Sequence, residues 1–251
     1  FETIRVHDAR PFLWEWHMER FVGCAKFLHI VPPQSTDSLL SDVRELIRRN
    51  SMSESVMRIA LSRGVGERGY GVTGEEQPTL LITQHSPPTT PAKPLSLVST
   101  SARVAIGDPL AKVKSANKLG SILAKRDAAN QGADDGFILN SDGNVTETSS
   151  ANLFWVEGGT LRTPPVSDGV LPGVTRRLVV GLASALGQPV REESVAPERL
   201  QQADAVFVTS AATGVIAVGQ VDGAALGTHS LVCQLQDAYD AELARHAAAG
   251  D

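Results

Sequence analysis

The chain has 251 residues, enough for one large domain or two of ordinary size. Hydrophobic residues make up 42% and charged residues 20%, while aromatics are only 5%, so the composition is globular and the core rests on Val, Leu, Ile and Ala. A net charge of −5 argues against nucleic acid or an anionic membrane as partner, and no apolar run approaches the roughly 20 residues of a membrane helix.

The first residues, "FETIRV", alternate apolar and polar and predict a strand. Because the chain opens inside that strand, a preceding segment is expected. "WHMERFVGCAKFL" carries Met18, Phe21, Val22, Ala25 and Leu28 at helical spacing. "STDSLLSDVRELIRRN" predicts a second helix, capped by Ser35 or Thr36 with Asp37 in its first turn. "VMRIALSRG" and "PTLLITQ" read as strands around the glycine-rich "GVGERGYGVTGEEQ". The proline-dense "HSPPTTPAKP" is stiff and unsuited to a central strand, which places a domain boundary there, between residues 1–88 and 89–251.

Beyond the boundary, "LSLVST" and "ARVAI" read as two strands, and a helix is predicted from about Ser115 to Gln131. "DGFILNSDGNVTETSSANLFWVEGGTLRTP" reads as strands broken at "SDGN" and "EGG", which are hairpin signals. "VTRRLVVGLASALG" is a helix that starts after Pro172-Gly173 and stops at Gly187. "ADAVFVTSAATGVIAVGQVDG" is a buried strand, a polar turn and another strand, and an amphipathic helix follows. The class is α/β or α+β in two lobes.

Cys24 and Cys233 are isolated, and His7, His17 and His29 have no metal spacing, so neither a disulfide framework nor a metal site is expected and a reducing cytoplasm fits. Trp14, Trp16 and Trp155 read as packing residues.

Chemistry has a few candidate carriers. "PGVTR" puts Gly173, Val174 and Thr175 at a helix start, where free N–H groups suit a phosphate, although the same residues describe an ordinary helical turn. "TSAATG", with Ser210 and Ala211, is a second small-residue turn after a buried strand. Arg20 in "HMERF" is either a phosphate partner or a surface arginine. Glu147 stands in a strand, where Glu is depleted, and suits a pyridine-nitrogen partner or a plain edge position. Lys114, in "VKSAN" with small neighbours, is a candidate nucleophile, with Lys112 and Lys118 as competitors that spacing alone leaves open.

Taken in order, "FETIRV", "HMERF", "SRGVGERGY", "VKSANKLGSILAKRDA", "GNVTETSSANLFWV", "LPGVTRR" and "VFVTSAATGV" resemble the fold-type IV pyridoxal-phosphate enzymes, the class-IV aminotransferase superfamily, over nearly the whole chain. That superfamily includes branched-chain aminotransferases, D-amino-acid transaminases and 4-amino-4-deoxychorismate lyases. The resemblance implies a small N-terminal α/β domain, a larger C-terminal pseudo-barrel domain, a pyridoxal 5′-phosphate cofactor, a small-molecule substrate and a homodimer. It also implies roles for residues. Lys114, which opens the K-x-x-N pattern with Asn117, matches the Schiff-base lysine. Glu147 matches the carboxylate that pairs with the pyridine nitrogen, and Arg20 matches the phosphate arginine. Val174, Thr175, Ser210 and Ala211 match the two phosphate turns.

Two departures bear on the reaction. Ala211 stands where transaminases often carry threonine, and Gly214 stands where a Glu is common in transaminases but lacking in the lyases. Thr3 in "FET" resembles the proton donor of the lyases, and Arg68 and Tyr70 in "SRGVGERGY" resemble their substrate-carboxylate residues. The resemblance therefore implies an aminodeoxychorismate lyase that forms 4-aminobenzoate for folate biosynthesis, with an aminotransferase for D- or branched-chain amino acids as the alternative.

Overall fold

The computed structural model describes residues 1–248. The chain divides into two compact units, Phe1–Pro88 together with the chain end from Leu243, and Thr89–Glu242.

The first unit holds a four-stranded antiparallel sheet of order β2-β1-β3-β4, built from β1 (Glu2–His7), β2 (Arg10–Pro11), β3 (Ser55–Ser62) and β4 (Thr79–His85). Strict alternation puts Glu2, Ile4 and Val6 on the buried face of β1 and Thr3, Arg5 and His7 on the other. Helix α1 (Trp14–Phe27) turns Trp14, His17, Met18, Phe21 and Ala25 inward, whereas Val22, read in the sequence as part of the same stripe, is exposed. Helix α2 (Thr36–Asn50) starts because Ser35 Oγ accepts a bond from Ser38 N at 3.2 Å, with Asp37 near its positive end and Arg48 and Arg49 near its negative end. Its Leu39, Val43 and Ile47 join Ile4, Val6 and Met57 in one core.

The second unit is a closed sheet. Its strands are β5 (Leu95–Val104), β6 (Asp135–Asn140), β7 (Val145–Thr148), β8 (Asn152–Glu157), β9 (Thr160–Thr163), β10 (Val190–Glu192), β11 (Ala205–Ser210), β12 (Gly214–Val221) and β13 (Ala224–Ala225). The order β8-β11-β12-β5-β6-β7 returns to β8, so these strands form a barrel, with β9 and β10 continuing from β8 and β13 attached to β12. Pairings β12–β5, β5–β6 and β9–β10 are parallel, and the rest are antiparallel. Strands β8 and β11 are buried on both faces, which is why they read as unbroken apolar runs. On one face Leu153, Trp155, Val206 and Val208 enter a cluster with Leu97 and Phe137. Phe154 and Phe207, of opposite parity, stack with centroids 5.0 Å apart.

The helices of this unit are α3 (Leu119–Asn130), α4 (Val174–Ala185), α5 (Pro197–Leu200) and α6 (Ser230–Ala248), the last of which runs on past Leu243 into the first unit's residues. Helix α4 stops as expected at Gly187, where Gly187 N bonds Ser184 O and Gln188 N bonds Ala183 O. Two expectations are corrected. "LSLVST" and "ARVAI" are one strand, β5, because the polar break is absorbed as an irregularity against β6. There Thr100 Oγ1 donates to Phe137 O, and Ser101 bonds Asp127 through both its N–H and its hydroxyl. Helix α3 begins at Leu119, not Ser115. Ser115 N bonds Val113 O and Lys118 N bonds Ala116 O, two-residue closures that a helix does not contain, and the first helical bond is Ile122 N to Lys118 O.

Among the described residues no helix is long and apolar enough to cross a membrane, and no group of His, Cys, Asp and Glu is placed to hold a metal ion.

Candidate active site

The barrel closes at one residue pair, Glu147 on β7 opposite Asn152 on β8. Asn152 is in turn opposite Thr209 on β11. Directly opposed residues point to the same face, so Glu147, Asn152 and Thr209 form a polar row across three strands. Asn152 and Thr209 are buried and Glu147 is half-buried.

The Glu147 carboxylate is held by two donors on one oxygen: Oε2 accepts from Asn152 Nδ2 at 3.0 Å and from Leu171 N at 3.1 Å. Leu171 leads through Pro172 and Gly173 into α4. Gly173 is the N-cap, in extended conformation, and it contributes no side-chain cap to the first turn. A Cβ at Gly173 would stand 1.9 Å from Asn152 Oδ1, so only glycine fits there. The turn that begins at Val174 and Thr175 is thereby set against the Glu147–Asn152 pair. Arg176, the next residue, is engaged elsewhere, by Pro164 O and Glu192 Oε1, both at 3.1 Å.

Directly after Thr209, the β11–β12 turn carries Ser210 and Ala211. Ser210 Oγ lies 2.8 Å from Thr213 Oγ1 and accepts from Thr213 N at 3.2 Å, so this hydroxyl shapes its own turn. Thr209 Oγ1 is buried with no hydrogen-bond partner among the described residues. A carboxylate, a helix start without a side-chain cap and an orphaned hydroxyl together suit a ligand with a basic ring nitrogen at one end and a phosphate at the other, so the residues present fit pyridoxal 5′-phosphate.

Lys114 is half-buried in the loop between Val113, whose side chain is buried, and α3. Of the neighbouring lysines, Lys112 is exposed, and Lys118 is half-buried at the N-cap of α3. Lys125 is bonded to Asp134 O and lies 3.8 Å from Asp135 Oδ1.

In the first unit, Arg20 makes a two-pronged pair with Glu2, Nε to Oε1 at 2.9 Å and Nη2 to Oε2 at 2.7 Å. His17 Nδ1 lies 2.8 Å from the same carboxylate. Burial pushes the Glu2 carboxyl up, but the hydrogen bonds from His17 and Arg20 and the Arg20 charge outweigh it and hold Glu2 at about 2. Thr3 is half-buried on the opposite face of β1. Arg68 and Tyr70 are exposed on the loop between β3 and β4.

Reasoning from sequence missed Glu2, Asn152 and Thr209. For Glu2 a signal existed, since it shares the parity of Ile4 and Val6 and therefore faces the core. The roles of Asn152 and Thr209 depend on which strands are neighbours, which no local pattern states.

Comparison with known proteins agrees with this geometry. The sequence profile described as amino-transferase class IV matches residues 1–221. The chain is 32% identical over 240 residues to the branched-chain-amino-acid aminotransferase of Escherichia coli K12, covering 90% of this chain and 77% of that one. A solved structure of the E. coli enzyme superposes with a TM-score of 0.90 at 29% identity, covering 96% and 84% of the two chains. The aminodeoxychorismate lyase of Bacillus subtilis is 29% identical over 234 residues, 92% of this chain and 80% of its own. A T.th. branched-chain amino acid aminotransferase, solved with pyridoxamine 5′-phosphate, has a TM-score of 0.89 at 26% identity, covering 97% and 85%. Matched by that profile over residues 1–221, the chain belongs to the aminotransferase class IV family of pyridoxal-phosphate enzymes.

Proposed function

We propose that the enzyme is a 4-amino-4-deoxychorismate lyase, which expels pyruvate and releases 4-aminobenzoate. The observation that carries this reading is Gly214. It has φ +69°, and a Cβ there would stand 2.5 Å from the Tyr239 ring, so the β11–β12 turn has no room for the carboxylate side chain common at this place in transaminases.

In this reading Lys114 would be the residue that holds the cofactor, and its free amine would take the proton from the substrate carbon that bears nitrogen. Pyridoxal phosphate supplies the electron sink for that deprotonation. Glu147 keeps the ring nitrogen protonated, the α4 start and the Ser210–Ala211 turn hold the phosphate, and Arg20 is the phosphate guanidinium. Thr3 Oγ1 gives a proton to the departing enolpyruvate oxygen. Arg68 and Tyr70 bind a substrate carboxylate, and the working unit is a homodimer in the cytoplasm. Loss of the leaving group from the neighbouring carbon leaves an aromatic ring, which drives the elimination.

A second reading, an aminotransferase for branched-chain or D-amino acids, is favoured by the 32% identity to the E. coli aminotransferase. The test is to give the purified protein aminodeoxychorismate and measure pyruvate and 4-aminobenzoate together. Equal release establishes the lyase. Absence of pyruvate, with amino-group exchange between an amino acid and 2-oxoglutarate, establishes the aminotransferase.

A further inference from the structure

We propose that Asn152 is a positioning residue of the cofactor site, whose one amide fixes the Glu147 carboxylate and the start of α4 in a set relation. The inference rests on the reading of Glu147 and the α4 turn as the cofactor's two anchors.

Both amide hydrogens of Asn152 are used. Nδ2 donates to Glu147 Oε2 at 3.0 Å and to Leu171 O at 2.9 Å, while Leu171 N donates back to Glu147 Oε2 at 3.1 Å. The amide cannot turn over, because its oxygen would then face a carboxylate and a carbonyl, two acceptors. Its own oxygen rests on the other side, against Gly173, at a spacing that excludes any Cβ. One planar, buried group therefore touches the carboxylate, the peptide that leads into α4, and the helix N-cap. Asn152 is also the residue at which the barrel closes, so its backbone is held by the β7 and β11 pairings. Gln carries the same amide but holds it one methylene farther from the backbone. Asp at this place would set a second carboxylate against Glu147, and Ser is too short to span both acceptors.

The consequence is that the distance between the ring-nitrogen anchor and the phosphate anchor is set by Asn152 and not by loop flexibility. Loss of the amide takes one donor from Glu147 Oε2 and one from Leu171 O, which weakens both anchors together.

The test uses the full chain with added pyridoxal 5′-phosphate, the three single variants Asn152→Ser, Asn152→Asp and Gly173→Ala, and the double variant that combines Asn152→Ser with Gly173→Ala. Three quantities are read: the melting temperature without cofactor, the cofactor dissociation constant from its visible band, and the pH midpoint of that band. Each variant is expected to bind cofactor about tenfold more weakly or worse, as the loss of one charge-assisted hydrogen bond implies. The Asn152 variants should also move the pH midpoint, which a purely structural role would leave in place. Asn152→Ser added to Gly173→Ala should recover most of the melting temperature lost to the clash but none of the cofactor affinity. Wild-type affinity and midpoint in folded Asn152→Ser or Asn152→Asp overturn the proposal, even if their melting temperatures fall. Should the Asn152 variants not fold, Gly173→Ala disturbs the same contact from the other side, and unchanged affinity there overturns it equally. Failure of the unmutated protein to bind pyridoxal phosphate is a different result, because it removes the cofactor reading itself and this inference with it.

Discussion

The ring of Tyr239 on α6 lies so close to Gly214 that a Cβ at that position would stand 2.5 Å from Cε1 and 3.0 Å from Cδ1 and Cζ. Gly214 also has φ +69°, which an L side chain adopts only under strain. Gly214→Ala is expected to destabilise the protein by about 2–5 kcal/mol, combining the backbone term with overpacking. Combining it with Tyr239→Ala should return the steric part and leave the backbone part, a coupling that denaturant unfolding of the four proteins measures. Strict additivity in that cycle would show that the ring is not what excludes a side chain.

Glu2 makes the first unit acid-sensitive. Its carboxyl sits at about 2 in the folded chain against an ordinary 4.5. The folded state therefore favours the ionised form, and this stability is fully present above about 4.5 and is lost as pH falls towards 2. Glu2→Gln should flatten that part of the pH profile. It should also cost about 3–5 kcal/mol at neutral pH, because it takes the paired carboxylate away from the Arg20 guanidinium, which is only 11% exposed. Urea unfolding at pH 7, 4 and 3 checks both statements, and an unchanged slope between pH 4 and 3 contradicts the assignment.

Lys114 and its neighbours separate in a labelling experiment. Borohydride reduction in the presence of pyridoxal phosphate should fix the cofactor on the wild type and on Lys112→Ala and Lys118→Ala, but not on Lys114→Ala. The Lys114→Ala enzyme should lose roughly 10²–10⁴-fold in rate from proton transfer alone. Mass spectrometry of the reduced chain identifies the modified residue, and a label on Lys118 would move the nucleophile to the start of α3.

Thr3→Val tests the proton donor. Thr3 is half-buried on a strand and Val is a good strand residue, so stability should stay within about 0.5 kcal/mol. Pyruvate release from aminodeoxychorismate should fall by about 10²-fold or more, with cofactor binding intact. An unchanged rate removes Thr3 from the reaction.

Local chemistry made much of this architecture legible. Ser35 caps α2, the Gly187 closure ends α4, and the "SDGN" and "EGG" turns separate β6 from β7 and β8 from β9, all through residues near in sequence, whereas the break at 149–151 between β7 and β8 was not read from the sequence. The ordered motifs pointed to Lys114, Glu147 and the two turns. What escaped depends on distant partners. The break in β5 is bridged by Phe137 and Asp127, and the parallel pairing of β5 with β12 unites Leu95 with Val218. Likewise the α3 start is decided by backbone bonds around Lys114 and not by the helix-forming tendency of "KLGSILAKRDA".

The closed barrel also governs the order in which the chain can be made safe. Strands β5 and β8 both wait for β11 and β12 to arrive from the later part of the sequence. Until Val221 has left the ribosome, Leu95–Val104 and Asn152–Glu157 each carry an open hydrogen-bonding edge, and β8 is apolar on both faces. Contacts so distant along the chain form slowly. A nascent or truncated chain ending before residue 205 is thus a template for strand addition by other chains, and recombinant fragments of this unit will need β11 and β12 to stay soluble.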